Sequence, residues 1–125
     1  MKETVNVVGL GLAGCEAVYQ LAKRGILVDA YEMKPTKFSP AHESPNFAEI
    51  VCSNSFKSDD ENTASGVFKR ELTQLGCNLL KTAYQVKVPA GQALAIDRDA
   101  FSEIITNEIK NNKHLSVFYN NWLEL

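Results

Sequence analysis

The chain has 125 residues, a size for one small domain, with 45% hydrophobic and 22% charged content and a formal net charge of −2. That balance is globular and offers no basic field for nucleic acid over the segment as a whole. No apolar run approaches the ~20 residues that span a bilayer, so no membrane partner is expected.

Met1-Lys2-Glu3-Thr4 leads straight into an apolar stretch with no signal-peptide pattern, which predicts a cytoplasmic protein. Val5, Val7 and Val8 predict a short buried strand. Gly9-Leu-Gly11-Leu12-Ala13-Gly14 follows. In a dinucleotide-binding βαβ unit the first glycine makes the tight turn, the second lets a pyrophosphate approach the backbone, and the third lets the helix pack on the sheet. The helix start after such a turn offers free N–H groups and a positive dipole end to phosphates. Val18 and Leu21 continue the helix's apolar face, and Gly25 is placed to end it in the left-handed conformation. Ile26, Val28 and Ala30 alternate as a second strand, and Glu32 closes it 18 residues after Gly14. A carboxylate there accepts hydrogen bonds from ribose hydroxyls and repels a 2′-phosphate, which favours FAD or NAD over NADP. A βαβ unit without a nucleotide is the alternative.

Met33 to Phe47 carries Pro35, Pro40 and Pro45 and reads as a long loop, of a kind that is often functional. Ala48 to Phe56 runs from apolar to small and polar, and Lys57 to Thr63 is hydrophilic and reads as exposed and mobile. Phe68, Leu72, Leu75 and Leu79 share one face of a helix expected over about Ser65–Leu80, with Gly76 inside it at a cost of about 1 kcal/mol. Val86 to Gly91 is extended and ends in a turn, and Ala93 to Ile96 is short and apolar. A helix over about Arg98–Asn112 follows, with Asp97 as its N-cap and Phe101, Ile104, Ile105 and Ile109 as its apolar face. Leu115 to Tyr119 is a strand. A doubly wound sheet carries five or six strands, and about three can be placed here. Because Trp122 and Leu123 close the sequence with no helix after them, residues 1–125 are expected to be the N-terminal portion of a longer enzyme, or a truncated form.

Cys15, Cys52 and Cys77 are odd in number and widely spaced, which argues against a disulfide framework, and with His42 and His114 far apart no metal site is expected. Cys52 lies in Val51-Cys-Ser53-Asn54-Ser55, among small polar side chains and backbone donors that can line a cofactor pocket. It is a candidate nucleophile or flavin neighbour; the alternative is a buried structural thiol. Cys15 sits in a helix's first turn, which lowers a thiol pKa, although packing is its expected role, and Cys77 reads as core. Arg98 at a helix start can clamp a phosphate or carboxylate, or pair with Asp97, Asp99 or Glu103. Lys34 and Lys37 are read as solvated.

Gly9-Leu-Gly-Leu-Ala-Gly-Cys-Glu-Ala17, Tyr31-Glu-Met-Lys-Pro35, Pro40-Ala-His42, Ala48-Glu-Ile-Val-Cys-Ser-Asn-Ser55, Val88-Pro-Ala-Gly91 and Ala95-Ile-Asp-Arg98 occur in an order and spacing that resembles the folate- and FAD-dependent tRNA (uracil-5-)-methyltransferases, the TrmFO family. Cys15 departs from the serine more usual there and matches the related flavoproteins that modify the wobble uridine of tRNA. The resemblance covers the N-terminal part of a typical member. It implies an α/β fold, a Rossmann-like FAD-binding domain of the glutathione-reductase type. It implies that methylenetetrahydrofolate supplies a one-carbon unit to C5 of a uridine in the tRNA T-loop, with FAD as reductant and NAD(P)H regenerating it. It places Cys52 in catalysis near the flavin, and with FAD as the cofactor the candidate binding residues are Gly9, Gly11, Leu12, Ala13, Gly14, Glu32, Ser53, Asn54 and Arg98. A second family cysteine has no counterpart in this sequence, and most of the tRNA and folate surfaces are expected outside it. The same chemistry on a ribosomal RNA uridine and a non-catalytic dinucleotide-binding fragment stay open.

Overall fold

The structure is a computed structural model that describes residues 3–120; Met1, Lys2, Trp122 and Leu123 lie outside the described residues. β1 (Thr4–Val8), α1 (Leu12–Lys23) and β2 (Leu27–Tyr31) form the opening βαβ unit. β1 and β2 run parallel, with Val5 beside Val28 and Val8 beside Tyr31. Gly25, at φ +75°, ends α1 and donates to the Ala22 carbonyl, the left-handed C′ geometry expected of that glycine.

The chain then leaves this sheet and returns to it only at β6 (Leu115–Phe118), which lies parallel to β2 on the side away from β1. In between, β3 (Ser55–Ser58), β4 (Lys87–Val88) and β5 (Ala93–Ile96) make a small antiparallel sheet in the order β3-β5-β4. α2 (Ala64–Gln74) and α3 (Asn78–Gln85) connect its first two strands, and α4 (Arg98–Lys110) leads back to β6. The core joins Val18 of α1, Val28 and Ala30 of β2, Phe47 of the proline loop, Leu94 and Ile96 of β5, and Phe101, Ile105 and Ile109 of α4. Phe56 meets Phe101 edge to face at 5.7 Å, and Tyr31 stacks on Phe118 at 5.2 Å.

Four expectations are corrected. β1 is not a buried strand: Val5 and Val8 are 37% and 55% exposed, and only Val7 packs against the core. The reason is that β1 pairs with β2 alone among the described strands. The helix expected over Ser65–Leu80 is two helices. Gly76 adopts φ +81° between them, so it stops α2 instead of weakening a continuous helix. Phe68 and Leu75 face solvent, Leu75 at 77% exposure, while Leu72 and Leu79 pack against the core. The α3 N-terminus is capped from α1: the Glu16 carboxylate accepts from the Asn78 and Leu79 amides, each at 2.9 Å. The hydrophilic stretch after Phe56 is half-buried in part. Its Asp59 amide donates to the Gln92 carbonyl (2.7 Å), and Lys69, 5% exposed, donates to the Ser58 carbonyl (2.8 Å). Burial pushes the Lys69 ammonium below its ordinary value, against the raising influence of Asp59. Lys34, lastly, is not solvated; its surroundings are described next.

Candidate functional site

The turn between β1 and α1 is built by its glycines. Gly9 holds φ +90°, a region costly for any side chain, and donates to the Tyr31 carbonyl at 2.7 Å. A Cβ on Gly14 would sit 1.8 Å from the Gly9 carbonyl oxygen, so only glycine lets α1 start this close to the strand end. A Cβ on Gly11, by contrast, would meet nothing within 4 Å, leaving open space where a ligand can reach the backbone. Gly11 is also the N-cap of α1 and offers no side-chain cap, and the first turn holds no acidic residue. The amides of Leu12, Ala13 and Gly14 donate to no protein acceptor among the described residues. A helix start of this kind presents partial positive charge to an anion, and the donor set fits a pyrophosphate.

Glu32 is 6% exposed and lies beneath this turn. One carboxylate oxygen accepts from the Leu10 amide at 3.0 Å and the other from the Lys34 amide at 3.1 Å. Each oxygen keeps a further lone pair, so binding to a ribose hydroxyl is compatible with this bracing role. Sequence reasoning assigned Glu32 to a ligand and missed that it also ties the glycine turn to the end of β2.

The proline loop is pinned to the same place. The Ala48 amide donates to the Leu10 carbonyl at 2.9 Å. Phe47, fully buried, donates its amide to Thr106 Oγ1 (2.8 Å) and accepts at its carbonyl from Ser102 Oγ (2.5 Å), which fastens the loop to α4. The buried Lys34 ammonium sits inside the loop and meets the Ser44 and Asn46 carbonyls and the Glu49 carboxylate, the last at 3.1 Å. A buried lysine of this sort could have been suspected from Glu49 and the prolines only with the loop's path in hand.

Cys52 lies four residues beyond Ala48, which limits the chain between them to about 14 Å. It is exposed within this segment, unlike the buried structural thiol that is the alternative reading. Ser53 and Asn54 are exposed beside it; the Asn54 carbonyl accepts from the Ile96 amide at 2.8 Å, which brings this loop to β5. Arg98 stands at the start of α4, where the Asp97 side chain caps the Ala100 amide at 3.0 Å. Among the described residues Arg98 forms no ion pair with Asp97, Asp99 or Glu103; its one hydrogen bond there is a long one, 3.5 Å, to the Ile50 carbonyl. Ser53, Asn54, Arg98 and Asp99 line an open cavity of about 360 Å³, and Arg98 also borders one of about 500 Å³ against Ser44, Glu49 and Val51. Gly9, Gly11, Leu12, Ala13, Gly14 and Glu32 thus form one cluster and Ser53, Asn54 and Arg98 a second, joined through Leu10 and Ala48. The glycine turn lines neither cavity.

The other thiols are set apart from this chemistry. Burial pushes Cys15 up to about 12, overriding the helix start, and its S–H points to the Leu10 carbonyl at 3.4 Å. Cys77, half-buried between α2 and α3, is raised by burial and by the neighbouring Glu16 carboxylate. No group of three or more His, Cys, Asp or Glu residues suited to a metal occurs among the described residues, and none of their helices is long and apolar enough to cross a membrane.

Comparison with known proteins adds three findings. The family described as Glucose inhibited division protein A matches residues 4–125. The chain is 53% identical over 124 residues to the methylenetetrahydrofolate–tRNA-(uracil-5-)-methyltransferase TrmFO of Fusobacterium nucleatum, covering 99% of this chain and 29% of that protein. It is 51% identical over 117 residues to the enzyme of the same name from Acetivibrio thermocellus, covering 94% of this chain and 27% of that one. The chain therefore spans less than a third of the length of these relatives. Among solved structures, Aquifex aeolicus GidA superposes with a TM-score of 0.72 at 17% identity, over 96% of this chain and 20% of that one, and shares the Rossmann-like fold.

Proposed function

Because the chain belongs to the Glucose inhibited division protein A family, we propose that residues 1–125 are the N-terminal portion of the FAD-binding domain of a cytoplasmic methylenetetrahydrofolate-dependent tRNA (uracil-5-)-methyltransferase. The observation that carries the nucleotide site is the glycine turn, which leaves three helix-start amides without an acceptor among the described residues, over open space at Gly11. The reaction class is drawn from the relatives of about 50% identity over nearly the whole chain.

In this reading Leu12, Ala13 and Gly14 donate to the cofactor's pyrophosphate, Gly9 and Gly11 keep the approach clear, and Glu32 accepts from the adenosine ribose while its bonds to Leu10 and Lys34 hold the turn still. FAD, when bound, supplies the electrons that reduce the folate-derived carbon to a methyl group, and NAD(P)H restores them. The chain's own residues bind, orient and shield. Ser53 and Asn54 offer donors, and Arg98 offers a guanidinium with no ion pair among the described residues to an anionic group of cofactor or substrate. Cys52 presents an exposed thiol beside them as the catalytic residue. Folate, tRNA and most of their binding surfaces belong to the remainder of the enzyme.

The test is the visible spectrum of the purified chain, with heat-released cofactor identified, followed by transfer of a labelled folate carbon to tRNA by the intact enzyme. A flavin spectrum, FAD on release and label in a T-loop uridine support the reading. A folded chain that takes up no FAD removes the nucleotide site, and label in ribosomal RNA but not tRNA moves the target.

A further inference from the structure

We propose that Lys34 and Glu49 act as a positioning pair that sets the Cys52 loop against the glycine turn. The bearing of this on the thiol and the flavin rests on the function proposed above. Lys34 is 4% exposed, and all three hydrogens of its ammonium have acceptors: the Ser44 carbonyl at 3.0 Å, the Asn46 carbonyl at 2.5 Å and Glu49 Oε2 at 3.1 Å. The other Glu49 oxygen accepts from the Glu43 and Ser44 amides at 3.0 and 2.9 Å. One cation and one anion thus close Glu43 to Glu49 into a single braced turn with no regular secondary structure.

The brace reaches the dinucleotide site from two directions. On one side, the Lys34 amide bonds Glu32, the same carboxylate that holds Leu10. On the other, Asn46, whose carbonyl Lys34 meets, is followed directly by Phe47, which is anchored on α4, and by Ala48, whose amide bonds the Leu10 carbonyl. Ala48 itself holds φ +52°, a conformation a non-glycine residue keeps only where its surroundings enforce it. Cys52 follows Glu49 by three residues, so the brace fixes where that loop departs.

The experiment is amide hydrogen exchange on the purified chain and on Lys34→Met, Glu49→Gln and the double variant. Each single variant is expected to speed exchange at Glu43, Ser44 and Ala48 by about tenfold, with Gly9 and Val28 within about threefold of the parent. The double variant is expected to match the singles instead of multiplying them, because the two residues act as one pair. A second readout is alkylation of Cys52 with and without FAD: FAD slows it in the parent, and in the variants that protection falls even at saturating FAD. Exchange that rises evenly across β1, β2 and the loop, or not at all, overturns the proposal. If Lys34→Met does not fold, Glu49→Gln decides by the same pattern. If the parent takes up no FAD, the proposed function fails, while the exchange pattern still decides the positioning pair.

Discussion

Between β1 and β2 the chain is held by backbone geometry: a glycine at φ +90°, another at φ +75°, a parallel ladder and a helix resting on its own turn. Between β2 and β3 it is held by side chains that reach to distant backbone: Lys34 to Ser44 and Asn46, Glu49 to Glu43, Thr106 and Ser102 to Phe47. The first region rests mainly on these backbone bonds, with the Glu32 carboxylate bracing its turn from just beyond β2. The second rests on its side chains, since its loop has few backbone partners of its own. The cysteines follow the same division: Cys15 of the first region is buried and inert, and Cys52 of the second is exposed.

The contrast can be broken most forcefully at Gly14 of the first region, with Gly66 of α2, which lies outside both regions, as its control. Gly14 and Gly66 are each the third residue of a helix, and a Cβ on either would lie within 2 Å of a backbone oxygen, that of Gly9 at 1.8 Å or that of Asp60 at 1.9 Å. Gly14→Ala and Gly66→Ala are both expected to cost about 3 kcal/mol or more, measured by urea unfolding. Only Gly14→Ala is expected to abolish flavin uptake as well. Loss of uptake in both would mean that uptake follows overall stability and not the geometry of the glycine turn.

Thr106→Val comes next. It keeps the shape of the side chain and leaves the buried Phe47 amide without its acceptor, an expected loss of about 1–3 kcal/mol by thermal unfolding. A neutral result would mean that water or a shifted loop replaces the bond.

The smallest effect is expected in acid. Burial pushes the Glu49 carboxyl up, but the Glu43 and Ser44 amides and the Lys34 ammonium together outweigh it and hold it below its ordinary value of 4.5. Its contribution to stability is therefore complete above that ordinary value and is lost as the pH falls through the lower folded value. Glu49→Gln is expected to flatten that part of the acid limb, by a slope of at most about 1.4 kcal/mol per pH unit, one proton's worth. An unchanged limb would show that the carboxylate is not the group that titrates.

Much of the first region was legible. The glycine spacing, the Val18 and Leu21 face, Gly25 and the alternation into Glu32 are local signals, and each element lies where they put it. α4 was legible for the same reason, through Asp97 and its apolar period. The break at Gly76 was hidden because Leu72, Leu75 and Leu79 keep a helical spacing across it, and the cap for the following helix comes from Glu16, 62 residues before Asn78. β3 was hidden because Ser55–Ser58 carries little apolar pattern and is defined by pairing with β5. Of the candidate site, the glycine turn and Cys52 could be named from the sequence, whereas the bracing use of Glu32 and the burial of Lys34 could not.

The sequence by itself determined the turn, the helix that follows it and the acid at the end of β2. These depend on backbone sterics and short-range periodicity, which residue identity carries directly. Only the tertiary structure decided that Lys34 is buried and paired, that Ser53, Asn54 and Arg98 converge on one cavity, and that Ala48 joins them to the glycine turn. The physical reason is that a charge or an amide in a loop is stable out of water only with a partner, and here the partners lie from ten to nearly sixty residues away.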